Sequence, residues 1–115
     1  MPEESVRLIK GTVDVMILKA LSRGPLHGYA ISRWIAATTK DVFTVQEGAL
    51  YPALRRLEAK GWLESNWAVT ETGREARFYE LTSEGRRQLR AEVEAWTTYV
   101  DAMSHVLKSA DRTGG

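Results

Sequence analysis

The sequence predicts an α+β protein, mainly helical, on three observations. Between Gly48 and Trp62, Leu50, Leu54 and Leu57 recur at i, i+4 and i+7, the period of a helix that buries one face. Trp62 to Val69 then alternates, with Leu63, Ser65, Trp67 and Val69 on one side and Glu64, Asn66 and Ala68 on the other. After a polar stretch, Arg77 to Leu81 forms a second strand-like run. Further on, Leu89, Val93, Trp96, Val100, Met103 and Leu107 repeat in steps of 4, 3, 4, 3 and 4, which is a heptad seam. This order of elements outlines a winged helix-turn-helix with a two-stranded wing and a long C-terminal dimerisation helix.

The remaining elements follow in chain order. Met1 to Lys10 reads as a short leader. Val13, Met16, Ile17, Ala20 and Leu21 form the apolar stripe of a first helix, with Asp14 in its first turn, where a carboxylate suits the dipole. Gly24-Pro25 ends it. A second helix runs from about His27 to Thr38 with Ala30, Ile31, Trp34 and Ile35 on one side, and His27 reads as the residue that opens it. Thr39 to Val45 is a turn into the third helix. That helix is expected to start near Gln46, although Thr44 and Glu47 have capping-box spacing and would place the start earlier. Pro52 lies inside it, and its steric conflict is with the carbonyl of Gly48, close enough to the start for the first turn to tilt. Gly61 stops it.

Thr70 to Ala76, with Gly73, is the hairpin tip. Thr82 can cap the last helix, and Glu84 sits in its first turn. From Thr82 to Ala110 that helix would be about 43 Å long at about 1.5 Å per residue. Thr113-Gly114-Gly115 reads as a frayed end. The expected division is 1–81 for a DNA-binding domain, 82–110 for a dimerisation helix and 111–115 for a flexible tail.

Composition sets the bounds. At 115 residues the chain is one small domain, with 43% hydrophobic and 27% charged residues, as in an ordinary globular protein. The absence of cysteine excludes a disulfide scaffold and thiol catalysis and fits a reducing compartment, so a cytoplasmic location is expected. No apolar run reaches the length of a membrane span, and Met1-Pro2-Glu3-Glu4 is unlike a signal peptide. The net charge of +1 means that a nucleic-acid binder of this balance must gather its positive charge on one face.

The third helix has such a face. Gly48, Pro52, Arg55 and Ala59 point away from the leucines, with Tyr51 and Arg56 beside them. Small residues permit close approach to another surface, and Arg pairs bidentately with phosphates or guanine edges. Arg55 faces outward from the helix midpoint and is the first candidate for a DNA contact. Gln46 and Ala49 lie near the helix start, where side chains reach base edges in the major groove. Tyr51 can donate its hydroxyl to a phosphate. Arg56 and Lys60 meet phosphates or neighbouring carboxylates such as Glu58 and Glu64. Arg74 and Arg77 fall in and beside the wing, suited to the flanking backbone or minor groove. Each arginine singly could be an ordinary solvated charge; together on one face they point to DNA. Arg86, Arg87 and Arg90 stand among Glu84, Glu92 and Glu94 and read as solvated or intrahelical pairs.

With these residues in view, the chain resembles the PadR-like family of transcriptional regulators from about Ile9 to about Val100. The resemblance is carried by Lys10-Gly11-Thr12-Val13-Asp14-Val15-Met16-Ile17-Leu18 and Gly24-Pro25-Leu26-His27-Gly28-Tyr29-Ala30-Ile31. It continues through Glu47-Gly48-Ala49-Leu50-Tyr51-Pro52-Ala53-Leu54-Arg55-Arg56-Leu57-Glu58, Arg77-Phe78-Tyr79-Glu80-Leu81-Thr82 and Gly85-Arg86. Several separated motifs in the right order make the match specific. It implies a dimeric, DNA-binding repressor of the short form, with a single C-terminal helix, and it implies that Tyr51 touches the DNA backbone.

The heptad helix is too long for so small a domain to cover, so its seam needs a partner. A second copy of the same helix is the economical one, although the seam could instead fold back on the first helix of its own domain. Two recognition helices about one DNA turn apart would read a palindromic site together. Trp96 lies on the seam and has two readings. It is interface packing, the commoner role of an aromatic on a helical stripe. Alternatively, as in drug-binding relatives with a tryptophan at the matching position, it stacks a flat aromatic effector, with Val93, Val100 and Met103 around it. Trp34, Trp62 and Trp67 read as domain core or wing packing.

The sequence argues against two other classes of function. His27 and His105, the only histidines, have no metal-ligand spacing, no glycine-rich phosphate loop follows a strand, and the carboxylates are scattered. No enzyme, metal site or cofactor is expected. A winged helix that binds protein instead would show no salt-dependent affinity for duplexes. Repression is the expectation, and activation is the alternative, because occupying DNA and blocking a promoter are different facts.

Overall fold

A computed structural model describes residues 11–110, so the expected leader and tail lie outside the described residues. In chain order the elements are α1 (Thr12–Ala20), a 3-10 turn (Leu21–Arg23), β1 (Leu26–His27), α2 (Gly28–Thr38), α3 (Glu47–Ala59), β2 (Leu63–Val69), β3 (Glu75–Leu81) and α4 (Ser83–Lys108). The three strands form an antiparallel sheet in the order β1-β3-β2.

Side-chain caps set the starts of two of the four α-helices. His27 caps α2 through Nδ1, which accepts from the Ala30 amide at 3.2 Å. Thr82 caps α4 by accepting from the Gly85 amide at 3.0 Å. α3 starts at Glu47 after Gln46, whose side chain makes no cap bond, and the helix runs through Pro52 without a break. The first turn is closed by the Ala49 and Leu50 amides, both 2.9 Å from the Gln46 carbonyl. Thr39 organises the turn between α2 and α3: its hydroxyl donates to the Ile35 carbonyl at 2.9 Å and accepts from the Phe43 amide at 3.1 Å.

The core joins all layers. Ile17, Leu18 and Leu21 come from the first helical segment, Ile31 and Ile35 from α2, Leu50, Leu54 and Leu57 from α3, Leu63, Tyr79 and Leu81 from the sheet, and Leu89 from α4. Leu18 is a buried member that the expected stripe on α1 omitted. Trp34 and Trp62 pack half-buried against this core, whereas Trp67 is exposed on the wing.

Several element bounds, and one pairing, differ from expectation. β3 begins at Glu75, two residues before the expected Arg77, so the turn shrinks to residues 70–74; it is closed by the Thr70 amide donating to the Arg74 carbonyl at 2.7 Å. α4 ends at Lys108 rather than reaching Ala110. The two-stranded wing gains a neighbour, since Leu26 and His27 pair with Tyr79 and Phe78 of β3. Two residues carry too little alternation to be read as a strand; their pairing exists only because β3 offers an open edge.

α4 leaves the domain. Gly85 and Leu89 are its only buried residues, and from Val93 onward it is largely exposed. The molecule measures 61 × 34 × 21 Å, with a radius of gyration of 16.9 Å, against about 13 Å for a compact domain of about 100 residues.

Candidate nucleic-acid interface

α3 buries Leu50, Ala53, Leu54 and Leu57, which turns Gln46, Ala49, Arg55 and Ala59 outward and leaves Pro52 half-buried. Gly48 adds no bulk to this face: a Cβ there would meet nothing within 4 Å. Among the described residues Arg55 makes no ion pair, whereas its neighbour Arg56 is held by Asp14 of α1 at 2.7 Å. Arg56 was expected to meet a phosphate or a nearby carboxylate such as Glu58 or Glu64; the carboxylate comes from another helix, 42 residues away in sequence. Both groups are partly solvated, so the pair contributes on the order of 0–1 kcal/mol and serves mainly to orient α3 against α1. Lys60 lies with Nζ 4.6 Å from the centroid of the Trp62 ring, at the end of the helix.

Tyr51 is 36% exposed, its ring laid against Gly28 at the start of α2. A Cβ at residue 28 would come within 2.6 Å of the Tyr51 hydroxyl and 3.0 Å of its ring, so glycine there sets the position of the phenol. Beside it α2 presents a group that the sequence reading missed. Tyr29, 65% exposed, accepts a hydrogen bond from Arg33 Nη1 at 3.1 Å, and the guanidinium lies 5.6 Å from its ring centroid. The signal was present as a Tyr/Arg pair at i, i+4 on the polar side of α2.

On the wing, Arg74 is exposed near the tip. Arg77 is tied back: its Nε donates to Ser65 Oγ at 2.9 Å, and Nη2 lies 3.7 Å from Glu58 Oε2. Ser65 in turn donates to Glu58 at 2.8 Å, so the wing is bolted to the C-terminal end of α3. Behind this network Tyr79 is buried. Burial pushes its phenol above the ordinary value of 10.0, partly opposed by the Arg77 charge. Among the described residues no group of acidic, histidine or cysteine side chains is arranged to hold a metal, and no helix is long and apolar enough to cross a membrane.

On α4, Leu89 packs into the protomer's own core, so this end of the seam is satisfied internally. The rest is not. Val93, Val100, Met103 and Leu107 are exposed, Leu107 at 74%, and Trp96 is half-buried with Tyr99 edge-on at 5.9 Å.

A helix-turn-helix with an outward arginine on its third helix, flanked by a β-hairpin, defines a winged-helix protein of the DNA-binding class. The profile of the Transcriptional regulator PadR-like family matches residues 17–91, and the chain belongs to that family. Its members regulate transcription and are not enzymes. The chain is 32% identical over 89 residues to an uncharacterised protein of Lysinibacillus sphaericus, covering 77% of this chain and 82% of that one. It is 27% identical over 73 residues to the negative transcriptional regulator PadR of Bacillus subtilis, covering 64% of this chain and 40% of that protein. Among solved structures, a transcriptional regulator from Clostridium thermocellum superposes with a TM-score of 0.77 at 32% identity, over 87% of this chain and 97% of the other. A PadR family transcription regulator from Clostridium difficile gives 0.71 at 27%, over 83% and 97%.

Proposed function

We propose that the protein is a homodimeric repressor, acting in the cytoplasm, that occupies a palindromic operator. The observation that carries this reading is the exposed seam of α4, which extends from the same core that holds α3. An apolar stripe of this length in water calls for burial, and a second copy supplies a self-complementary surface. The pairing would set two α3 helices at a fixed spacing, with Arg55, Gln46 and Ala49 toward base edges. Tyr51, Tyr29, Arg33 and Arg74 would meet the backbone.

Fluorescence anisotropy with the gene's own upstream duplex and a scrambled duplex, over a salt series, tests the reading. A saturable preference for the upstream duplex that weakens steeply with salt supports it; absence of binding to any duplex at low salt overturns it. Arg55→Ala is expected to weaken binding by about 1–3 kcal/mol per half-site and to relax the preference for the upstream duplex. Arg56→Ala should do less, since its charge is already engaged by Asp14.

An effector fits the same geometry. Trp96 and Tyr99 sit where two copies of α4 would meet, with Val93, Val100 and Met103 around them, so a flat aromatic molecule bound between them would alter helix tilt and operator spacing. Trp96→Ala should leave operator binding intact while abolishing release of the operator by planar aromatic compounds in the same assay. Loss of DNA affinity in parallel with loss of dimers would make Trp96 structural instead.

A further inference from the structure

Trp67, 64% exposed on the wing, has no part in the reading above. Register partners share a side of an antiparallel sheet, so Leu63 with Leu81, Ser65 with Tyr79 and Trp67 with Arg77 all face one way. What covers that side changes along the strand. The first pair lies in the core. At the second, Ser65 meets Glu58 at the C-terminal end of α3. The third pair stands exposed on that same side of the sheet, with Arg77 still within reach of Glu58 on α3.

Arg77 is held in place rather than free. Its bonds to Ser65 and Glu58 leave its guanidinium carbon 5.9 Å from the Trp67 ring centroid, so the cation braces the indole. From Leu63 to Leu81 the hairpin carries Glu64, Glu71, Glu75 and Glu80 against Arg74 and Arg77, so it is formally acidic, and only between Trp67 and Arg77 do the charges cancel. A wing of this composition gains little on a polyanion from net charge. What it offers beside α3 is an indole.

We propose that Trp67 is the principal wing contact with duplex DNA: an apolar wedge laid on the sugar edges of the minor groove flanking the α3 site, with Arg77 as its positioning residue. Apolar side chains are used in this way at minor grooves, and an indole adds one N–H donor for a groove acceptor. The inference rests on the DNA-binding reading and assigns the wing a contribution that salt does not weaken.

The test uses full-length protein and a duplex enriched from a random-sequence pool by the wild type, followed by anisotropy across a potassium chloride series. Trp67→Ala is expected to bind about tenfold more weakly at every salt concentration with an unchanged slope, because burying a side chain of this size is worth roughly that factor and no charge is removed. Trp67→Phe should recover most of the loss, and neither variant should shift the melting temperature. Affinity of Trp67→Ala within twofold of wild type would overturn the proposal while leaving the DNA reading intact. A fall in melting temperature that accounts for the lost affinity would also overturn it. If the wild type enriches no duplex, the DNA reading fails and this inference with it.

Discussion

Replacing Gly85 with alanine is expected to destabilise the protein by about 2–3 kcal/mol and lower its melting temperature by on the order of 10 °C. Gly85 sits in the first turn of α4, where alanine would ordinarily gain about 1 kcal/mol of helix propensity. The site reverses that sign. A Cβ at residue 85 would lie 2.1 Å from the Trp62 carbonyl oxygen and 3.0 Å from its carbon, and a backbone carbonyl cannot swing aside as a flexible side chain can. The carbonyl is also engaged, accepting from the Thr82 amide at 3.1 Å, while the Thr82 hydroxyl donates to the Gly61 carbonyl at 2.7 Å. Moving α4 away to make room would therefore strain the junction that joins it to the α3–β2 turn. Thermal unfolding at fixed protein concentration checks this, with Gly48→Ala as the contrast. Residue 48 is also helical, but its added Cβ meets nothing within 4 Å, so that variant should be as stable as wild type or slightly more so. Equal melting temperatures for Gly85→Ala and wild type would show that the junction yields more readily than its contacts imply.

Val100→Glu is expected to split the proposed dimer and reduce affinity for the proposed operator by roughly a hundredfold or more. Val100 is exposed at the middle of the seam, between Trp96 and Met103. In a two-fold pairing each copy would bring its carboxylate toward that of the other, in a strip with no cation on the seam positions to meet it. Each half-site would then be bound alone, and the gain from simultaneous engagement of two sites would vanish. Light scattering reads the mass and anisotropy reads the affinity. Ala102→Glu, on the opposite side of the same helix, should change neither. Circular dichroism separates this outcome from unfolding, because α4 beyond Leu89 adds little to the protomer core and the variant should keep its helical signal. A dimeric Val100→Glu protein with unimpaired affinity would place the interface elsewhere.

Both expectations draw on features of different legibility. The seam on α4 could be read from residue spacing alone, as could the outward face of α3, its start after Gln46, the His27 and Thr82 caps and the wing hairpin. Each is a short-range pattern: a helix or strand declares its apolar side through a fixed period, and a cap is a bond between residues three apart. The Gly85–Trp62 contact, the Asp14–Arg56 pair and the Glu58–Ser65–Arg77 network join residues from different elements, and no local pattern marks them. β1 belongs with these, since two residues become a strand only when β3 comes alongside.

β2 shows the division most clearly. Its alternation put Leu63, Ser65, Trp67 and Val69 on one side, and the register of the hairpin agrees. Yet Leu63 is buried while Trp67 and Val69 stand in solvent. The same holds on α4, where Leu89 is taken into its own core and Leu107 is left outside. By itself the sequence determined the family, the order of elements and which side of each is apolar or basic. Only the tertiary structure decided how much of each side is covered, which arginines are tied to carboxylates and which glycine must remain one. The physical reason is that periodicity records the direction of a side chain, whereas burial and pairing depend on where the neighbouring layer ends.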